Sequence, residues 1–176
     1  MTYSLNTLNA SAAAKSPPRT GAARFGHEIA LVVGLLALVF WLLALVSYSA
    51  QDAAWSTSGA RDVRSVANWA GRFGAWLADG SYFALGFSVW WCVAAGVRAW
   101  LSSLARWMRG GEVVAGAASP LVRRATFWGG LVVLMCSSTA LEWSRLYRFE
   151  TFLPGHAGGV LGYVVGPASV KWLGFT

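Results

Sequence analysis

Residues 29–48, IALVVGLLALVFWLLALVSY, form a run of 20 positions without a single charge. The hydrocarbon of a bilayer is about 30 Å thick and a helix rises about 1.5 Å per residue, so roughly 20 apolar residues make one crossing. A cleaved secretory signal instead has an apolar core of roughly 7 to 15 residues close behind a short basic start. Here 28 residues precede a longer run, which favours a retained anchor, while small residues at Ser47, Ser49 and Ala50 leave a cleavage site open.

Composition extends that reading to the whole chain. It is 56% hydrophobic, only 12% charged, and carries 11 tryptophans, which sets it apart from soluble domains and makes it an integral membrane protein. Residues 81–97 and 125–141 are two further uncharged segments of 17 residues, the short end of the spanning range. Asp79 and Arg98 bracket the first; Arg123, Arg124 and Glu142 bracket the second. The expected fold is all-α, with three transmembrane helices at about 29–48, 81–97 and 125–141 and an amphipathic helix in the outer loop.

That fourth helix follows from Val63, Val66, Ala67, Ala70, Phe73 and Leu77, spaced by threes and fours, with Arg64, Ser65, Asn68 and Arg72 on the other face. Trp69 and Trp76 flank the apolar face, as in a helix lying among lipid headgroups; a helix packed on the protein's own surface is the alternative.

Cytoplasmic loops accumulate Lys and Arg. The N-terminal tail and the loop 98–124 together hold eight such residues against two acids, while the opposite side holds six against five. The basic side is therefore expected inside, with the N-terminus cytoplasmic and residue 176 outside. Residues 1–27, rich in Ala, Ser and Thr with a Pro17-Pro18 pair, are expected to be a disordered cytoplasmic tail, and residues 28–176 the membrane domain. Near the end, the apolar run 157–166 stops at Pro167 and is too short to cross, so a compact non-spanning element is expected there.

Ala84, Ser88, Cys92 and Gly96 recur every four residues as a stripe of small side chains, joined in the third span by Gly129 and Gly130; such residues let helices approach closely in lipid, although they are also common there by chance. Arg98, Arg106 and Arg109, interleaved with Trp100 and Trp107, and Arg123 and Arg124 beyond them, suit lipid headgroups better than nucleic acid, because they adjoin membrane spans. Cys92 and Cys136 are mismatched in depth and are read as free. His27 and His156 fall on opposite sides and share no metal. Glu142 and Arg145 are spaced to form a boundary salt bridge. The three spans contain no charge, and the chain has no phosphate loop, nucleophile elbow or zinc spacing, so no catalytic, cofactor or metal site is expected.

Three stretches carry a likeness. LLALVSYSAQDAAWS closes the first run with S-(Y/F)-x-x-x-D-x-(A/S)-W-S; NWAGRFGAWLADGSYFALG leads into the second; GGVLGYVVGPASVKWLGF lies near the end. Together they resemble the N-terminal membrane domain of FtsK-type DNA translocases of bacterial cell division, from about Glu28 onward. The resemblance implies four membrane helices followed by a linker and a cytoplasmic ATPase motor, so this chain stops before the fourth span and lacks the motor. It further implies an inner-membrane anchor at the division septum, contact with other division proteins, and a hexamer once the motor is attached. ATP and DNA binding would belong to the missing part. Asp52, Trp55, Ser56, Gly74, Trp76 and Asp79 match the family's outer-loop motif. A small membrane scaffold or transporter subunit unrelated to division is the competing expectation.

Overall fold

The structure is a computed structural model, described over residues 21–56, 66–109 and 120–173. Within those residues the chain forms five α-helices: α1 (Gly21–Val46), α2 (Gly71–Leu85), α3 (Val89–Met108), α4 (Pro120–Arg145) and α5 (Gly159–Leu173). A 3-10 turn, Gly86–Ser88, joins α2 to α3, and another, Tyr147–Phe152, follows α4. No strand occurs among the described residues.

Arg24–Val46, Gly71–Met108 and Leu121–Arg145 are long and apolar enough to cross a membrane. Their apolar residues face outward. Val32, Val33 and Leu36 on α1 and Leu121, Val132 and Val133 on α4 are each more than half exposed, a surface that water disfavours by about 25 cal/mol per Å² and lipid accepts. α1 begins at Gly21, inside the segment expected to be a disordered tail, and Arg24 reaches Glu28 one turn later at 4.0 Å. The rest of that tail lies outside the described residues.

α3 runs antiparallel along α1. Gly96 rests on Leu38, the Trp100 indole donates to the Leu31 carbonyl at 2.8 Å, and the Trp107 indole donates to Glu28 at 3.3 Å. On α4, Met135 meets Cys92 with the sulfurs 3.7 Å apart, and both cysteines are free.

α2 behaves differently. Phe73 stacks obliquely on Phe40 and Ser81 accepts the Trp41 indole N–H. Those two α2 positions are about 12 Å apart along the helix, yet they meet adjacent residues of α1, so α2 crosses α1 steeply. The segment expected as the second span is therefore divided: residues 81–85 belong to this crosswise helix and the crossing itself is α3. Gly86 makes the corner with a φ of +58°, a conformation open to glycine and disfavoured elsewhere by Cβ contacts. The amphipathic helix expected over 63–77 appears from Gly71 onward as part of α2; residues 57–65 are outside the described residues. Its Trp69, Phe73 and Trp76 are 74%, 73% and 53% exposed.

The end of the chain also departs from expectation. The helix does not stop at Pro167 but passes through it to Leu173, because a proline there removes one bond, to the Tyr163 carbonyl, and α5 is held by packing against α4 and α2. At 15 residues it extends about 22 Å, short of a full crossing. Gly158, Gly162 and Gly166 line its contact face: a Cβ at Gly158 would stand 2.3 Å from the Thr139 carbonyl oxygen, at Gly162 2.7 Å from it, and at Gly166 2.6 Å from the Trp143 ring. α2, α5 and the Tyr147–Phe152 turn thus cap one end of the α1, α3 and α4 bundle; Arg98, Arg106, Arg109, Arg123 and Arg124 lie at the other.

Gly158→Ala is expected to destabilise the fold by about 3 kcal/mol, combining a positive φ with overpacking. Gly129→Ala, where no other described helix lies within 4 Å of the added carbon, should change stability little or raise it. Denaturant titration in detergent micelles measures both, and equal tolerance at the two sites would contradict the α4–α5 crossing.

Candidate functional site

At the capped end, the chain leaves α1 and turns back through Asp52. Its carboxylate is 5% exposed and accepts the N–H groups of Ala67 and Asn68 at 2.8 and 3.0 Å. Asn68, itself buried, does two jobs. Its side-chain amide donates to the Ala44 carbonyl at 2.8 Å, in the last turn of α1 where carbonyls lack helical partners. Its side-chain oxygen accepts the Ala70 N–H at 2.9 Å, just before α2 begins. Gly74 gives this turn room, since a Cβ there would lie 2.6 Å from that same oxygen.

Asp79 is 1% exposed on the inner face of α2 and accepts both the backbone N–H and the hydroxyl of Ser56, at 2.8 and 2.6 Å. Trp55, beside it, meets Phe83 edge-on at 5.0 Å and remains 56% exposed, as does much of Trp76. The motif thus separates into acids, Asp52 and Asp79, turned inward to hold a loop, and indoles, Trp55 and Trp76, turned outward.

A third carboxylate closes the corner between α2 and α3. Glu142 of α4 accepts the Phe87 N–H at 2.8 Å and the Ser88 hydroxyl. That hydroxyl also lies 2.8 Å from Ser138 Oγ, which accepts the Trp91 indole N–H at 3.2 Å. The expected Glu142–Arg145 salt bridge is therefore replaced: no ion pair joins them, because Glu142 is buried against a helix corner that offers N–H and O–H donors while Arg145 is exposed.

The small-residue stripe faces more than one neighbour. Ser88 and Cys92 meet α4, Gly96 meets α1, and the backbone at Ala84 lies against Gly159. Among the described residues, no other helix comes within 4 Å of where a Cβ at Gly129 or Gly130 would stand.

At the opposite end, Arg98, Arg106 and Arg109 of α3 and its C-terminal turn face Arg123 and Arg124 of α4 across a cleft of about 470 Å³, with Ser102, Phe127 and Trp128 in its walls. The Arg98 guanidinium sits 5.1 Å from the Phe127 ring centre. His27, 3.5 Å from the Ser103 hydroxyl, belongs to this end; His156, 3.5 Å from Glu150 and stacked on Tyr163, belongs to the other. Among the described residues no three His, Cys, Asp or Glu side chains gather as metal ligands.

Residues 23–176 match the family described as the 4TM region of DNA translocase FtsK/SpoIIIE. The chain belongs to this family. It is 35% identical over 161 residues to DNA translocase FtsK 2 of Ralstonia nicotianae, covering 91% of this chain and 20% of that protein. It is 32% identical over 161 residues to DNA translocase FtsK 1 of Neisseria meningitidis serogroup B, covering 88% and 19%. With DNA translocase FtsK of Pseudomonas syringae pv. syringae it shares 30% identity over 152 residues, covering 83% and 17%. The chain thus spans about a fifth of the length of these relatives. No solved structure matches it. This FtsK region is a multi-pass inner-membrane protein, and the match is to the membrane domain rather than to a motor.

Several residues that organise this FtsK region escape sequence reasoning. Asn68 reads as one polar position on a helix face, and Glu142 as the edge of a span. Tyr82, whose hydroxyl donates to the Leu45 carbonyl at 3.2 Å, sits off the small-residue stripe and reads as an aromatic facing lipid or a neighbouring helix. Gly158, Gly162 and Gly166 did carry a signal, the same spacing of four that marks Ala84 to Gly96.

Asn68→Ala is expected to cost about 2–3 kcal/mol, because it strands a buried carbonyl and an N–H together. Glu142→Gln and Ser88→Ala should be strongly non-additive, with a coupling of about 1–3 kcal/mol, as members of one network. A double-mutant cycle by denaturant titration measures this; simple additivity would mean that the Glu142–Ser88 bond contributes nothing.

Proposed function

We propose that this chain is the membrane anchor of an FtsK-type DNA translocase, holding the motor at the division septum during cell division and chromosome segregation. The observation that carries this reading is the match of residues 23–176 to the 4TM region, over about a fifth of relatives named DNA translocases. In this reading residues 1–27 are a cytoplasmic tail and residues 28–176 form the anchor. The arginine end faces the cytoplasm, consistent with the excess of basic residues there, and the capped end faces outward. Residues of the capped end whose side chains stand free of the loop network, Trp55 and Trp76, suit contact with other division proteins, whereas Asp52, Ser56 and Asp79 serve the loop. The assembly is a hexamer through the motor. No cofactor or direct DNA contact is assigned to the anchor.

A fusion of the chain to a fluorescent protein, expressed in dividing bacteria, is expected to concentrate at mid-cell, and Trp55→Ala with Trp76→Ala to spread it around the envelope without lowering its abundance. Even membrane labelling by the unaltered chain would remove the septal role and favour an unrelated membrane scaffold. Reporters active only in the cytoplasm, placed at the N-terminus and in the loop between Arg109 and Arg123, should both be active; silence at both reverses the orientation, and silence at one overturns the two crossings between them.

A further inference from the structure

The cleft between α3 and α4 gathers more positive charge than helix packing explains. Five arginines, Arg98, Arg106, Arg109, Arg123 and Arg124, line it, and among the described residues no acidic side chain does. Arg123 closes the first turn of α4 and Arg124 opens the second, in a 26-residue helix with no acid in its first turn. The N-terminus of a helix already carries about half a positive charge, so cations placed there are unfavourable until an anion arrives. Bringing Arg98, Arg106 and Arg109 to face them adds repulsion. An isolated helix end would offer only a weak preference; here two chain segments converge their fixed charges on one space.

The surroundings select the kind of anion. Trp128 in the wall is 59% exposed, and Met108, Leu121 and Val122, next in sequence to the lining residues Arg109 and Arg123, are 68%, 76% and 58% exposed. A soluble phosphate would leave this apolar rim uncovered, whereas an amphiphile covers it with acyl chains while its head lies among the arginines. Guanidinium forks suit phosphate oxygens, and basic pockets between transmembrane helices hold multiply charged lipid heads.

We infer that the α3–α4 cleft is a binding site for an anionic phospholipid with a two-phosphate headgroup of the cardiolipin class, its phosphates held by Arg98, Arg123 and Arg124 and its acyl chains against Trp128 and Leu121. This deepens the anchoring reading and rests on the chain being embedded in a bilayer, not on its septal role or its orientation.

The test is lipid retention by the whole chain in detergent micelles, followed by native mass spectrometry with cardiolipin and, separately, phosphatidylcholine. Micelles have no sides, so failure here is distinct from failure of the orientation or the septal localisation. Cardiolipin is expected to be retained and phosphatidylcholine lost. Arg98→Gln, Arg123→Gln and Arg124→Gln together should weaken cardiolipin retention by about a hundredfold, at roughly fivefold per arginine. The corresponding lysine variant should keep most of it and shows that the fold survives. Arg145→Gln with Lys171→Gln, at the capped end, should behave as the unaltered chain. The proposal is overturned if the glutamine variant retains cardiolipin as well as the unaltered chain, or if the capped-end variant loses as much. It is also overturned if inorganic diphosphate or a single-stranded oligonucleotide displaces cardiolipin at matched phosphate concentration, which would make the cleft a site for soluble polyanions.

Discussion

Wherever a chain turns at the edge of a membrane, it must find hydrogen-bond partners for the backbone groups that its helices leave over. In this protein three buried carboxylates and one amide supply them. Asp52 takes two N–H groups of the returning loop, Asp79 takes Ser56, Glu142 takes the corner before α3, and Asn68 links the last turn of α1 to the first of α2. Each of these side chains is at most 5% exposed. The crosswise α2, the corner at Gly86 and the seating of α5 all rest on that set.

What the sequence disclosed follows from the physics of each element. α1 was legible because a lipid-facing helix needs only sustained apolarity, and residues 29–48 display it without interruption. The arginines' common end was legible because charges cannot enter the hydrocarbon. The division of the second apolar segment was not, since the preference for a corner at Gly86 comes from Glu142, 55 positions away from Phe87, and from close approach to Gly158. Pairings of that range leave no local periodicity. For the same reason Glu142 invited a partner one turn away, Arg145, when its true partners lay on another helix.

The motif residues at the capped end illustrate how one signature can mix two roles. Asp52, Ser56, Gly74 and Asp79 are consumed by the loop's own geometry, each at a position where hydrogen bonding or crowding dictates the residue type. Trp55 and Trp76 stay more than half exposed beside them. A sequence pattern records all six alike; burial separates them. The two ends of the molecule differ in the same sense: the capped end buries three carboxylates among N–H and O–H donors, while the opposite end gathers five arginines around one cleft.

The steep crossing of α2 over α1 has a mechanical meaning. A single rod through a bilayer resists axial load only by the exposure of its ends. Here a pull along α1 reaches α2 through Tyr82 and Trp41, and reaches the turn before α2 through Asn68. A crosswise helix tied in this way is a brace: load along one rod is shared with a second element instead of being met by the rod alone.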